Sequence, residues 1–260
     1  MKRIITLVTD FRSTDGYTGA VCGVIKSINP DAEIVDISHN IPPGDIRKGS
    51  RALKNSYQFF PKGTINIAVV DPTVGPSRRE IVVYDGVYYF IGPDNGIFTP
   101  VYKKSQDYTC YQIASGKYRL ASESETFHGR DVFAPAAAYI SKGVPVEEFG
   151  PQVDDPVMLM DPEPEIIGSY VIGKVIDIDT FGNLVTNISG KLVKPNAVFK
   201  LCGHHITGLS KSYADVDEKQ PLAYIGSIGH LEIAINRGNA ANFFGALIFD
   251  EVKVENQDSD

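Results

Sequence analysis

The feature of this chain that most restricts its fold is a change of rhythm near residue 153. Before it, short β-branched runs alternate with stretches of helical length; after it, only short strand-like pieces remain, separated by turn residues. The join contains Asp154-Asp155-Pro156 and Asp161-Pro162-Glu163-Pro164-Glu165, and is acidic, proline-rich and aperiodic, as a linker is. The expectation is an α/β domain over residues 1–152, a linker over 153–167 and a small all-β sandwich or barrel over 168–260. A length of 260 residues accommodates two such domains.

In the first half, residues 4–9 close on Asp10, and 19–28 read as a helix with Ala20, Val24 and Ile28 on one face. Asn29-Pro30 ends that helix. Residues 33–37 form a second strand, 43–60 look helical, and 65–70 form a buried strand closing on Asp71. Residues 81–84 and 87–91 straddle Asp85-Gly86, a hairpin signal. A short helix over 134–140 carries Pro135 in its first turn, where the missing N–H is harmless. Strands interleaved with helices point to an open α/β sheet. In the second half the strand-like pieces are 168–177, 184–188, 197–201, 222–225, 230–235 and 243–252, and the tail 255–260 reads as frayed.

Composition closes off several classes of function. Lys and Arg total 25 against 32 Asp and Glu, a formal charge of −7; such a surface repels phosphate backbones, so no nucleic-acid partner is expected. Cys22, Cys110 and Cys202 lie far apart with no C-x-x-C spacing, which disfavours a disulfide framework or structural zinc and leaves buried thiols in a reducing cytoplasm. No run approaches the ~20 apolar residues of a membrane span, and the first apolar run is too short for a secretory signal. A cytoplasmic protein with no membrane partner is expected. Phosphate-binding glycine loops, H-E-x-x-H and G-x-S-x-G are all missing from the sequence.

What remains are acids and one histidine. Asp10 and Asp71 each end a strand, and in open α/β sheets ligands bind beyond the carboxyl ends of the strands; the same residues also serve as ordinary turn formers. Asp15 follows closely on Asp10. The segment Val70-Asp71-Pro72-Thr73-Val74-Gly75-Pro76-Ser77-Arg78-Arg79 sets a strand-end acid before a stiff loop and two arginines, so that one guanidinium can fold back on the carboxylate while the other pairs at the surface. His128, just ahead of the 134–140 helix, sits where a helix dipole favours neutral imidazole, which can accept a proton. A structural role for it stays open. Asp10, Asp15, Asp71 and His128 are also of the right types for a Mg or Mn site, although no metal-binding spacing supports one. Residue types alone reach only as far as a hydrolase or ligand-binding protein with an acidic crevice.

Taken together, Val69-Val70-Asp71-Pro72-x-Val74-Gly75-x-x-Arg78, Thr126-Phe127-His128-Gly129-Arg130-Asp131-Val132-Phe133 and Phe181-Gly182-Asn183-Leu184-Val185-Thr186-Asn187 resemble the S-adenosylmethionine hydroxide adenosyltransferase family. The opening Thr9-Asp10-Phe11 and the late Gly229-His230-Leu231-Glu232-Ile233-Ala234 extend the resemblance over essentially the whole chain. It implies a Rossmann-like N-terminal domain, a barrel-like C-terminal domain and a homotrimer with active sites at subunit interfaces. The implied reaction is S-adenosylmethionine plus water giving adenosine plus methionine, with no cofactor and no metal.

The family's Asp-Arg-His set falls on Asp71, Arg78 and His128. In the related halogenating enzymes the matching positions are not Asp and His, so water is the implied nucleophile. Substrate binding is implied for Asp10 at the ribose, for Asp15, for Asp179 and Asn183 at the methionine head group or adenine, for Tyr213 beside the adenine, and for Ser227 and Glu232. Three positions depart from the family pattern. Arg12 and Thr73 replace glycines, with backbone strain expected at Thr73 if that position needs a positive φ, and His230 replaces an aromatic residue. A non-catalytic sensor of the same ligand, a metal-dependent hydrolase and an adenosyl halogenase are the competing readings.

Overall fold

A computed structural model of the protein describes residues 3–75, 78–105, 107–121 and 124–257. It divides into two units, Met1–Leu159 and Met160–Asp260.

The first unit is built on a mixed six-stranded sheet. Strands β1 (Ile4–Thr9), β2 (Glu33–Ser38), β3 (Ile65–Val69), β4 (Glu80–Tyr84), β5 (Tyr89–Pro93) and β6 (Thr109–Gln112) lie in the order β2-β1-β3-β5-β4-β6. The first four in that order are parallel, and β4 runs against both of its neighbours. Helices α1 (Tyr17–Ile28), α2 (Ile46–Ser56), α3 (Thr99–Lys104) and α4 (Ala134–Ser141) supply the cover. The inner strands are hydrophobic on both faces because both are buried. Ile5, Leu7, Ile65 and Ile67 pack with Val21 and Ile25 of α1 and the alanines of α4. Val8, Ala68, Ile81 and Val83 pack on the other side with Leu53 of α2 and Val101 of α3.

Asp45 caps α2 by accepting from the Lys48 amide at 2.9 Å, so this helix is shorter than the 43–60 span expected from its pattern. β4 and β5 form the expected hairpin, although Asp85 lengthens its turn by accepting from the amides of Val87 and Tyr88. β6 carries mixed polar and apolar residues and gives no clear strand signal in the sequence. The segment after Gln152 is ordered against this unit: Val153 is buried, the Val157 amide donates to Asp94 at 2.8 Å and the Leu159 amide to Thr99 at 2.8 Å.

The second unit is an antiparallel sheet curling toward a barrel. Its strands are β7 (Glu165–Ile167), β8 (Tyr170–Ile178), β9 (Leu184–Ser189), β10 (Val198–Leu201), β11 (His204–Thr207), β12 (Pro221–Ile225), β13 (His230–Ile235) and β14 (Glu251–Glu255). The order is β11-β10-β14-β8-β9-β13-β12, with β7 paired to β8. The two ends approach where Ser210 donates to the Ala223 carbonyl at 2.8 Å, which protects otherwise open strand edges. Phe199, Leu231, Ile233, Phe244 and Val252 fill the interior.

Local corrections follow side-chain chemistry. His204 and His205 lie in β11, and Cys202 is exposed where a buried thiol was expected. Within the expected strand 243–252, Asn239 instead caps a short helix α5 (Ala240–Phe244) by accepting from the Asn242 amide, and only the end of the stretch joins β14. Glu255 and Asn256 are held, Asn256 by bonds to Ser169, Leu192 and Lys194; residues 258–260 of the expected frayed tail lie outside the described residues. Among the described residues no helix is long and apolar enough to cross a membrane.

Strain appears at Arg12, not at Thr73. Arg12 has φ 57° while Thr73 keeps an ordinary backbone. An L-residue in the left-handed region costs about 1–2 kcal/mol, and glycine relieves that at the expense of about 0.5–1 kcal/mol of chain entropy. Arg12→Gly is therefore expected to raise stability by about 0.5–1 kcal/mol, readable as a higher urea midpoint with unchanged slope.

Candidate active site

Topology brings the first cluster together. Thr9 of β1 is in register with Val69 of β3, so Asp10 and Asp71 leave the carboxyl ends of adjacent parallel strands. The chain then crosses the end of β5 and re-enters the sheet as β4, whose first residue Glu80 pairs with Pro93 at the end of β5. Because β4 is antiparallel, its beginning lies at the edge where the other strands finish. Arg78 and Glu80 are thereby delivered beside Asp71.

The histidine arrives from the other side. Phe127 packs edge-on against Phe11 and Tyr17, with ring centroids 5.7 and 5.2 Å away, and the Arg130 guanidinium lies 5.0 Å from its centroid. A Cβ on Gly129 would come within 2.8 Å of the Phe11 ring, so only glycine lets this turn close. His128 opens a π-helical turn, Gly129–Phe133, that runs into α4. Asp131, fully buried, accepts from the Ser124 amide at 2.8 Å and from both arms of Arg130. Burial opposes its ionisation, but the Arg130 and Ser124 hydrogen bonds outweigh that and hold its carboxyl below the usual range.

Arg78 is the hub. Its Nη2 donates to Asp71 Oδ2 and lies 3.1 Å from His128 Nδ1, and its Nη1 is 3.6 Å from Glu80 Oε1. Its guanidinium carbon sits 5.6 Å from the Phe133 ring centroid. Glu80 Oε1 is also 3.0 Å from His128 Nδ1, while Glu80 Oε2 accepts from Arg119 at 3.1 Å. Arg78 and Glu80 are 7% exposed and His128 6%. Arg79 is the surface partner, bound to Asp94 and Asp155. The Thr73 hydroxyl approaches Asp71 Oδ1 at 3.4 Å, so the residue that departs from the family pattern touches the proposed acid.

Of the residues expected from the sequence, Asp71, Arg78 and His128 fall in one cluster, and Glu80 and Arg119, not foreseen, join it. A charged residue at the head of a fully apolar strand was the available signal, since such residues are seldom buried without partners. Asp10 is half-buried and accepts from the Gly44 amide at 2.9 Å; Asp15 is exposed. Among the described residues no group of three His, Cys, Asp or Glu side chains is arranged to hold a metal ion. Between Asp71 and His128 lies a guanidinium, itself a cation.

The second unit carries a cleft of about 670 Å³ lined by Phe181, Asn183, Tyr213, Ile235, Arg237 and Asn239. Asp179 shapes its rim: Oδ1 accepts from the amides of Phe181 and Asn183, and Oδ2 from the Asn183 side chain at 2.9 Å. Gly182 has φ 84°, and a Cβ there would meet the Asn239 side chain at 2.1 Å. The left-handed residue is therefore Gly182, and Asn183 is free to face the cleft. Tyr213 bonds through its hydroxyl to Tyr224, which donates to Glu232 at 2.5 Å. Burial pushes the Glu232 carboxyl up; the Tyr224 bond opposes this and the nearby Asp179 charge adds to it. Ser227 is exposed in the turn between β12 and β13. Asn183 and Tyr213 thus line the cleft, Asp179 and Glu232 support it, and Phe181, Arg237 and Asn239 were not foreseen.

Comparison with known proteins gives two domain-level matches. Residues 5–150 match the SAM hydroxide adenosyltransferase N-terminal domain and residues 173–253 its C-terminal domain. A protein of Thermus thermophilus named (R)-S-adenosyl-L-methionine hydrolase is 35% identical, covering 94% of this chain and 96% of its own length. A more distant relative, a fluorinase of Nocardia brasiliensis, is 27% identical over 92% of each chain. The crystal structure of an uncharacterized conserved protein from Thermotoga maritima superposes with a TM-score of 0.89 at 35% identity, covering 96% of this chain and 99% of that one.

Proposed function

The chain belongs to the SAM hydroxide adenosyltransferase family, and from that premise we propose that it hydrolyses S-adenosyl-L-methionine to adenosine and L-methionine. The observation that carries the reading is the buried junction of Asp71, Arg78 and His128. Methionine leaves C5′ as a neutral thioether, so no general acid is needed. The difficulty lies with water, which is far too weak an acid to supply hydroxide at neutral pH unaided. The oxygen–C5′ bond forms as the C5′–sulfur bond breaks, the electron pair goes to sulfur, and the water proton passes to His128 or Asp71. Arg78 favours the hydroxide-like oxygen electrostatically. Holding water in line with C5′ contributes on the order of 7–11 kcal/mol, and the base about a further 10²–10⁴-fold.

Substrate contacts belong to the same reading. Asp10 takes the ribose hydroxyls, with Asp15 close by in the chain. The cleft of the second unit takes the flat purine against Tyr213 and Phe181, with Asn183 Oδ1 left to accept while its Nδ2 donates to Asp179. Asp179, Ser227 and Glu232 take the methionine ammonium and carboxylate. A homotrimer with active sites at subunit interfaces, no cofactor or metal, and a cytoplasmic setting that suits free thiols complete the reading.

Incubation of the purified protein with S-adenosylmethionine is expected to release adenosine and methionine in equal amounts, followed by chromatography. Release unaffected by a chelator separates this reading from a metal-dependent hydrolase. A 5′-halo-adenosine product in concentrated halide would select the halogenase reading, and tight binding with no product the sensor.

A further inference from the structure

We propose that Glu80 is the counter-ion that allows His128 to hold the proton taken from water, and that Arg119 is the side chain that keeps Glu80 in place. The proposal rests on the hydrolase reading above and adds a positioning residue to it.

Arg78 alone would make His128 a poor base. Its guanidinium lies 3.1 Å from His128 Nδ1, in a cluster with almost no solvent. A lone pair on Nδ1 can accept from that guanidinium, but a proton there meets a like charge, which disfavours the imidazolium. For Nε2 to take a proton, Nδ1 must already carry the ring's hydrogen, and that Nδ1–H needs an acceptor. Glu80 Oε1 is 3.0 Å away and has no proton of its own to offer. It supplies the opposite charge that Arg78 lacks, on the same ring nitrogen.

The rest of the surroundings fix this arrangement. Glu80 Oε2 accepts from Arg119 Nη2, which also donates to the Ile113 carbonyl, so the carboxylate is oriented from behind. Its other neighbour is Arg78 Nη1 at 3.6 Å. The groups facing His128 and Glu80 are therefore Arg78 and Asp71 from the loop after β3, Arg119 from the segment after β6, and Asp131 from the turn that His128 opens. Arg119 anchors the acid, Asp71 occupies Arg78, and Glu80 is the carboxylate within 3.0 Å of the ring. In the reaction, water's proton goes to Nε2 of the His128 ring, whose Nδ1–H is held by Glu80 Oε1, the water oxygen bonds to C5′, and the sulfonium leaves as thioether; Glu80 neither gains nor loses a proton.

The test compares Glu80→Gln and Glu80→Asp with the native protein. Glu80→Gln keeps the shape and removes the charge. It is expected to lower kcat roughly ten- to hundredfold with KM within about twofold, and to move the acid limb of the kcat–pH profile to lower pH, because imidazolium is less stabilised. Glu80→Asp keeps a charge further away and is expected to move the limb the same way by less, with most of kcat restored. A purely packing role would lower stability without moving the limb.

A Gln variant that folds with native kcat, or with a superposable acid limb, overturns the proposal. If the Gln variant does not fold, the Asp variant decides by its acid limb alone, and a superposable limb overturns the proposal. Following the His128 ring by NMR during titration needs no substrate: a lower midpoint in the variant supports the contact, and an unchanged one overturns it. Absence of adenosine release from the native protein would overturn the hydrolase reading instead, and leaves the NMR comparison to decide the contact.

Discussion

Replacing Arg78 with methionine is expected to abolish measurable turnover and to destabilise the protein by about 3–5 kcal/mol, the usual cost of removing one member of a buried ionic cluster. Two carboxylates, Asp71 and Glu80, face this guanidinium, and both would be left in a site that water hardly reaches. Loss of a preorganised donor toward a developing oxyanion lowers kcat by about 10²–10³-fold on its own. Misplacement of Asp71 and His128 adds to that. A total stability of about 5–15 kcal/mol leaves the variant folded but fragile, so urea unfolding and adenosine release should be measured on the same preparation. Arg78→Lys keeps the charge and loses the fork, since an ammonium cannot reach Asp71, Glu80 and the imidazole together. It should recover most of the stability and little of the rate. Equal recovery of both would mean that Arg78 acts only as a point charge.

The second large effect concerns His128. His128→Ala should lower kcat by roughly 10²–10⁴ while KM changes little, because the ring is assigned to the moving proton and not to substrate binding. The cost in stability should be smaller than for Arg78. The acids keep their guanidinium partners, and the loss amounts to a partly replaceable contact beside Glu80. Added imidazole is expected to restore part of the rate in the alanine variant, since the space vacated is the size of the missing ring. Turnover equal to the native protein would pass the role of base to Asp71 alone.

How much of this could be read from the chain depends on how local each signal is. The strands ending at Asp10 and Asp71 announce themselves by short, β-branched, mostly apolar runs, and the parallel sheet follows from the helices between them. Asp71 and His128 stood out as candidates from their own segments, while the choice of Arg78 over Arg79 and the grouping of the three came from the family resemblance. Glu80 did not stand out, because its importance comes from a strand reversal that sets the head of β4 beside the tail of β5, and periodicity carries no information about neighbours in a sheet. Arg119 is hidden for the same reason, being joined to Glu80 across 39 residues. The helix α5 was mistaken for strand because Phe243 and Phe244 begin an apolar run, while the deciding signal was the single cap at Asn239. Strain was expected at Thr73 and found at Arg12 because both depart from glycine, and only the backbone angles separate them.

The alternation of two acids with two guanidinia around one imidazole has a consequence for the energetics of the proposed reaction. Asp71, Arg78, Glu80 and Arg119 balance one another in formal charge. Hydrolysis creates no new charge. On the proposed mechanism a single positive unit migrates from sulfur to the ring, within surroundings already polarised to receive it. Little dielectric rearrangement is then required of the medium, and background electrolyte should have scant leverage over the chemical step.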